Sequence, residues 1–186
     1  DRLEPFGEEK ARAIVEKELD GSIERWFAEF GPSVAAASIA QVHKARTSDG
    51  RDVAVKILRP DVERRIKRDI ATLRMGAAIA EKLFPLSRRL EPKAFVETVA
   101  RSLTLELDLR LEAAAANELA EAAARANNFN LPDIDWSRSS KKVLTTEWID
   151  AIPLTDIEAV EAAGVDMVQL SQDITDAFLT TALDCG

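Results

Sequence analysis

A chain of 186 residues carries 33 acidic against 25 basic side chains, a formal charge of −8, which argues against general nucleic-acid binding because that requires a basic face. A chain this long buries roughly 70% of its unfolded surface, and 46% hydrophobic with 31% charged residues fits a charge-rich globular protein. No run of about 18 apolar residues is present to span a membrane. The one cysteine, Cys185, excludes a disulfide framework, points to a reducing compartment and reads as a small buried hydrophobe.

In chain order, Ala11, Ile14, Val15 and Leu19 fall at helical spacing over 8–20, with Asp20-Gly21 as the stop and Ser22 as the next N-cap. Trp26, Phe27 and Phe30 lead into a strand that Gly31-Pro32 interrupts. A second strand covers 39–46, Ser48-Asp49-Gly50 signals a tight hairpin, and a third strand covers 51–58. Pro60 and Asp61 open a long helix ended by Pro85. A second long helix starts near Pro92 and runs through the alanine-rich segment toward Ala126, with Asn127-Asn128 as the stop. The segment 143–149 has strand composition, and 134–137 pairs with it across a polar turn. A short helix over 155–163 closes at Gly164, and a last one begins at Asp166.

The chemistry concentrates in two places. Ala35, Ala36, Ala37 and Ser38 form a small-residue loop between two strands, where backbone N–H groups could approach a phosphate; packing beneath a helix is the bland alternative. Lys56 ends the strand segment Val53-Ala54-Val55-Lys56, where a buried ammonium needs water or an anion. Glu106 lies seven residues after Val99 and three after Leu103. That spacing places it on the apolar stripe of the second long helix and makes it the natural partner of Lys56, with a solvated carboxylate as the alternative. Asp108, Glu112 and Asn117 read as solvated helix residues, Glu112 with a second polar contact as its alternative. The single histidine, His43, reads as structural. Arg59, Arg64, Arg65, Lys67 and Arg68, interleaved with Asp61, Glu63 and Asp69, read as a solvated helix start, with a membrane-surface contact as the minority reading.

As a set, these residues resemble the UbiB family of atypical protein-kinase-like proteins linked to ubiquinone biosynthesis. The resemblance rests on 35–43, on Asp49-Gly50 with Val53-Ala54-Val55-Lys56 and Arg59-Pro60, on Glu106-Leu107-Asp108 with Glu112-Ala113 and Asn117, and on 143–147. It implies an α+β protein-kinase-like N-lobe over 1–149, with an antiparallel sheet, long helices and helical additions. Residues 150–186 would hold the hinge and the beginning of a helical C-lobe.

The resemblance further implies ATP or ADP as ligand, its phosphates covered by residues 35–38 and contacted by Lys56, with Glu106 orienting that lysine. Thr146 would take the gatekeeper position, and Glu147 and Ile149 the adenine-facing hinge. The expected activity is that of an atypical kinase or ATPase supporting prenylated-quinone biosynthesis. The alternative is a non-catalytic, pseudokinase-like module that binds prenyl-lipid intermediates or partner enzymes.

The chain reads as a piece of a longer protein. The family's catalytic loop and magnesium-binding aspartate are expected beyond Gly186, so the piece alone is expected to lack turnover. No metal ligands are expected within it. The expected location is cytoplasmic, peripheral to the inner membrane through the longer protein.

Overall fold

A computed structural model describes residues 4–84, 89–126 and 129–185. The helix stops expected at Pro85 and Asn127-Asn128 lie outside the described residues, as does the Cys185 side chain. The chain opens with α1 (Glu8–Leu19) and the short α2 (Ile23–Trp26). Three strands follow, β1 (Phe27–Ala36), β2 (Ala40–Thr47) and β3 (Asp52–Leu58). After α3 (Val62–Leu83), α4 (Pro92–Leu105) and α5 (Leu109–Ala126) comes β4 (Val143–Glu147), then α6 (Ile157–Ala162) and α7 (Met167–Cys185). The fold is mixed α+β, with a four-stranded antiparallel sheet in the order β1-β2-β3-β4.

Side-chain alternation divides the sheet into two faces. Ala45, Val53, Val55, Ile57 and Val143 point to one side and pack with Ala11, Val15 and Leu19 of α1, forming the main core. On the opposite face only one end is covered. There Ala40, Leu58 and Leu144 meet Leu109 and Ala113 of α5 in a smaller cluster. The β2–β3 hairpin turns at Gly50, whose φ of 88° suits glycine. Gly31 and Pro32 interrupt the regular pairing of β1, as expected, without ending it. The strand passes through them with a register shift between Phe30 and Ser33, and a Cβ on Gly31 would stand 3.0 Å from the Lys44 carbonyl. Of the expected pairing of 134–137, Ile134 bridges Thr146, while Trp136–Arg138 coils into a 3-10 turn instead.

The expected helix from Pro92 to Ala126 is two helices. The first ends at Leu105 and Asp108 starts the second: its carboxylate accepts the Arg110 N–H at 3.1 Å, and the Leu109 N–H turns to the Lys141 carbonyl at 2.9 Å. Both Leu107 and Leu109 are buried, at 4% and 1% exposure, and residues two apart cannot share a helix face. The break lets each leucine reach its own core. α3 and α4 pack as a hairpin that buries Ile70, Ala77, Val96 and Ala100. Arg74 and Glu97 join its two arms through paired 2.7 Å bonds.

His43 is structural, as expected. It is 1% exposed and stacks on Phe30. Its Nδ1–H donates to the Gly31 carbonyl at 2.9 Å, and its Nε2 accepts from Gln41 Nε2 at 2.8 Å. Gln41 also exchanges bonds with the Phe6 backbone, so this pair ties the segment before α1 to β1. Burial pushes the His43 ring below its ordinary value and outweighs its bond to Gly31 and the field of Glu8. A depressed histidine is a stabilising neutral group above the unfolded value of about 6.5, and that contribution is lost as pH falls through the lower folded value. The urea midpoint of the wild type is expected to fall between about pH 6.5 and pH 5. A His43→Phe variant should fall less over that window, and equal slopes would show that His43 does not titrate with unfolding.

Candidate functional site

Lys56 lies on the sparsely covered face of the sheet. Its neighbours across the strands are Val42 on β2 and Leu144 on β4. Val42, Ala54 and Thr146 share this face and are half-buried, so a strip beside the lysine is apolar yet open. The ammonium is held on the strip's helical side. Lys56 Nζ donates to both carboxylate oxygens of Glu112 at 2.7 Å.

The expected partner, Glu106, is therefore corrected to Glu112. Phase counting from Val99 assumed an unbroken helix, but α4 stops at Leu105 and the chain re-enters a helix at Leu109. Glu106 becomes an exposed C-cap residue whose carboxylate has no hydrogen-bond or ion-pair partner among the described residues. Glu112 precedes the fully buried Ala113, and so stands at the edge of the face by which α5 packs on the sheet. Lys56, Glu106, Asp108 and Glu112 line one cavity of about 380 Å³ with Leu105 and Leu111. Asp108 is already engaged there. The Arg110 guanidinium, 2.6 Å away, holds its carboxyl below the usual range.

The pair is accessible, with Lys56 32% and Glu112 47% exposed. An ion pair of this kind contributes at most about 1 kcal/mol to stability, so its consequence is geometric. An ammonium has three donors, and two are directed at Glu112. The third is free to meet an anion beside the open strip. Among the described residues no group of three or more His, Cys, Asp or Glu side chains is placed to hold a metal ion. Glu112 has both oxygens on the ammonium.

Ala35 and Ala36 end β1, and Ala37 and Ser38 form the loop to β2, closed by an Ala37 N–H bond to the Ala40 carbonyl at 2.8 Å. Arg59 fastens the loop from outside, its Nε donating to the Ala37 carbonyl at 2.9 Å. At the far end of the strip Thr146 pairs with Ala54. The Glu147 N–H is taken by the Asp133 carbonyl at 2.8 Å, while the Glu147 side chain is exposed and Ile149 is 53% exposed. Lys56, the loop and Thr146 thus border one sheet face, whereas Glu147 and Ile149 mark its rim.

The ABC1 atypical kinase-like domain matches over residues 1–186. The chain belongs to this family. Among ABC1 relatives, proteins described as probable protein kinase UbiB from Marinobacter nauticus and Xylella fastidiosa are 39% identical over 181 residues. One of the same description from Xanthomonas campestris is 37% identical over 186 residues. Each alignment covers 97% of this chain and 33% of the relative, so the chain spans about a third of their length. A solved structure described as the complex structure of Rv3197-erythromycin from Mycobacterium tuberculosis superposes with a TM-score of 0.70 at 32% identity. It covers 82% of this chain and 38% of that one. The kinase-like α+β fold expected from the resemblance is therefore the fold of this ABC1 chain.

Two residues of the site, Glu112 and Arg59, carry the family resemblance but receive no site role from the sequence. It favours a solvated Glu112, with a polar contact as its alternative, and places Arg59 in a basic cluster. A signal for the first was present: leucine at 103, 105, 107, 109 and 111 has a period of two, which no single helix face can absorb.

Proposed function

We propose that this chain supplies the nucleotide-phosphate-binding lobe of an atypical kinase or ATPase that serves ubiquinone biosynthesis. The observation that carries the proposal is the twofold contact of Lys56 with Glu112 beside an open strip of sheet. Adenine lies along Val42, Ala54 and Thr146, near the rim formed by Glu147 and Ile149. The phosphates lie under the loop of Ala35, Ala36, Ala37 and Ser38, where Lys56 meets them with its third donor. Glu112 keeps that donor aimed. Residues 150–186 form the hinge and the start of a second lobe. The magnesium ion that accompanies such nucleotides supplies charge neutralisation when bound, with its ligands on the longer protein. The quinone assignment rests on the family resemblance and the UbiB description of the relatives, and we place the longer protein in the cytoplasm, against the inner membrane.

Titration calorimetry of ATP and ADP against the chain tests this reading. A charged hydrogen bond contributes about 1.5–3 kcal/mol, so Lys56→Ala should weaken binding roughly ten- to hundredfold. Unchanged affinity would remove Lys56 from the phosphate site. The ubiquinone content of cells carrying Lys56→Ala in the longer protein tests the pathway, with a fall expected.

A non-catalytic partner-binding role is the second reading, favoured by Leu73, Met75, Ile79 and Leu83 of α3 and Phe95 of α4, each between 48% and 68% exposed. Lipid binding by the longer protein without nucleotide hydrolysis would select it.

A further inference from the structure

We propose that the basic cavity at the start of α3 is a binding site for phosphate-bearing anions, separate from the Lys56 site. The cavity measures about 470 Å³ and is lined by Ser38, Arg59, Arg64, Arg65 and Arg68, with Asp61 the one acidic residue of its lining. It shares no lining residue with the cavity around Lys56, and its one link to the proposed nucleotide site is Ser38, at the tip of the loop between β1 and β2. In a chain with a formal charge of −8, four guanidinium groups against one carboxylate is a local reversal of sign.

The partners of these arginines leave most of that charge uncompensated. Arg59 donates to two neutral carbonyls, of Ala37 and Glu4, each at 2.9 Å. Arg64 meets Asp61 at 3.2 Å, and Arg68 reaches Asp69 only at 3.9 Å. The Arg65 guanidinium has no carboxylate partner among the described residues. Elsewhere the pattern differs: Arg74 on Glu97 and Arg110 on Asp108 each make two short bonds to one carboxylate.

The spacing is itself unfavourable without a ligand. Arg64 and Arg68 stand at i,i+4 and Arg65 and Arg68 at i,i+3 on α3, where like charges destabilise a helix. An anion reverses the sign of that term. Guanidinium forks match phosphate oxygens in pairs, and the Ser38 hydroxyl on the facing loop can add a donor. Arg64 and Arg68 are 81% and 76% exposed, so binding is salt-sensitive and reaches ligands presented at a surface. A soluble diphosphate and a phospholipid headgroup both offer this chemistry.

The test uses two probes with the intact chain: pyrophosphate by calorimetry, and sedimentation with vesicles of phosphatidylcholine with and without phosphatidylglycerol. The variant R64Q/R65Q/R68Q should bind at least about tenfold more weakly. In a Lys56→Ala background the three arginine substitutions should still weaken pyrophosphate binding by that factor, which keeps this site apart from the proposed nucleotide site. K10Q/K17Q/K67Q removes the same charge from exposed positions outside the cavity and should retain binding. Circular dichroism checks the triple variant, and if its helix signal falls, Arg65→Gln alone is read instead. Pyrophosphate binding alone identifies a soluble ligand, binding to the anionic vesicles alone a headgroup, and either supports the site. The proposal is overturned if the wild type binds neither probe, if the arginine variant binds normally, if the charge-matched control loses as much, or if the arginine substitutions change nothing once Lys56 is alanine.

Discussion

Asp135→Ala is expected to destabilise the chain by up to about 3–5 kcal/mol, because the mostly buried Arg138 would keep only a longer 3.4 Å contact with the exposed Asp49. Asp135 and Arg138 are 7% and 12% exposed and lie 2.8 Å apart. The carboxylate also accepts from Arg51 at 2.9 Å, Ser137 Oγ at 2.6 Å and the Arg138 N–H at 3.2 Å. Arg138 in turn donates to the Trp26 carbonyl at 3.0 Å, so one acid joins the β2–β3 hairpin, the turn before β4 and the end of α2. Burial pushes the Asp135 carboxyl up, but its bonds to Ser137, Arg51 and Arg138 outweigh burial and hold it below the ordinary value. A depressed carboxylate stabilises the fold above the unfolded value of about 3.9, and that contribution is lost as pH falls through the folded value. Urea unfolding at neutral pH measures the cost. Asp135→Asn, which keeps an acceptor, should cost less than alanine. A loss below about 1 kcal/mol for alanine would reduce the network to a surface pair.

The sheet and its hairpin were legible because their signals are local. Asp49-Gly50 requires a tight turn, and Val53, Val55 and Ile57 alternate with residues of the other face. α1 was equally legible, since Ala11, Val15 and Leu19 repeat at helical spacing and all three are buried. The lysine of the site could be named because a charge at the end of an apolar strand is anomalous in itself. Its partner could not, because the helical phase that points Glu106 inward does not continue across the break between α4 and α5. What sets the break is tertiary: the Lys141 carbonyl receives the Leu109 N–H, and Leu58 and Leu144 receive the Leu109 side chain. β1 shows the same limit. Gly31-Pro32 reads locally as an interruption, and only pairing with β2 on both sides shows that the strand continues through it as a bulge. Arg59 was hidden differently, since nothing in a run of arginines marks the one that reaches back to a loop carbonyl.

Leu109→Ala should act on stability and ligand binding together, and it is the sharper test of how α5 positions Glu112. Leu109 is 1% exposed, against Ala40, Leu58, Ala113 and Leu144, so truncation should cost about 2–5 kcal/mol through lost burial and the cavity left behind. It is also the first residue of α5, three before Glu112, so a cavity there loosens the turn that holds the carboxylate on Lys56. Adenine-nucleotide affinity, measured by calorimetry well below the unfolding midpoint, should fall with stability. Glu112→Gln separates the two effects. Its ion pair is half-exposed, so stability should change by less than about 1 kcal/mol, while nucleotide affinity falls because the lysine is no longer aimed. Leu109→Met conserves volume and should leave both nearly intact, at a cost below about 1.5 kcal/mol. If Leu109→Ala weakens the fold yet binds nucleotide as tightly as the wild type, α5 does not transmit its packing to Lys56. Glu112 would then be a bystander to the phosphate contact.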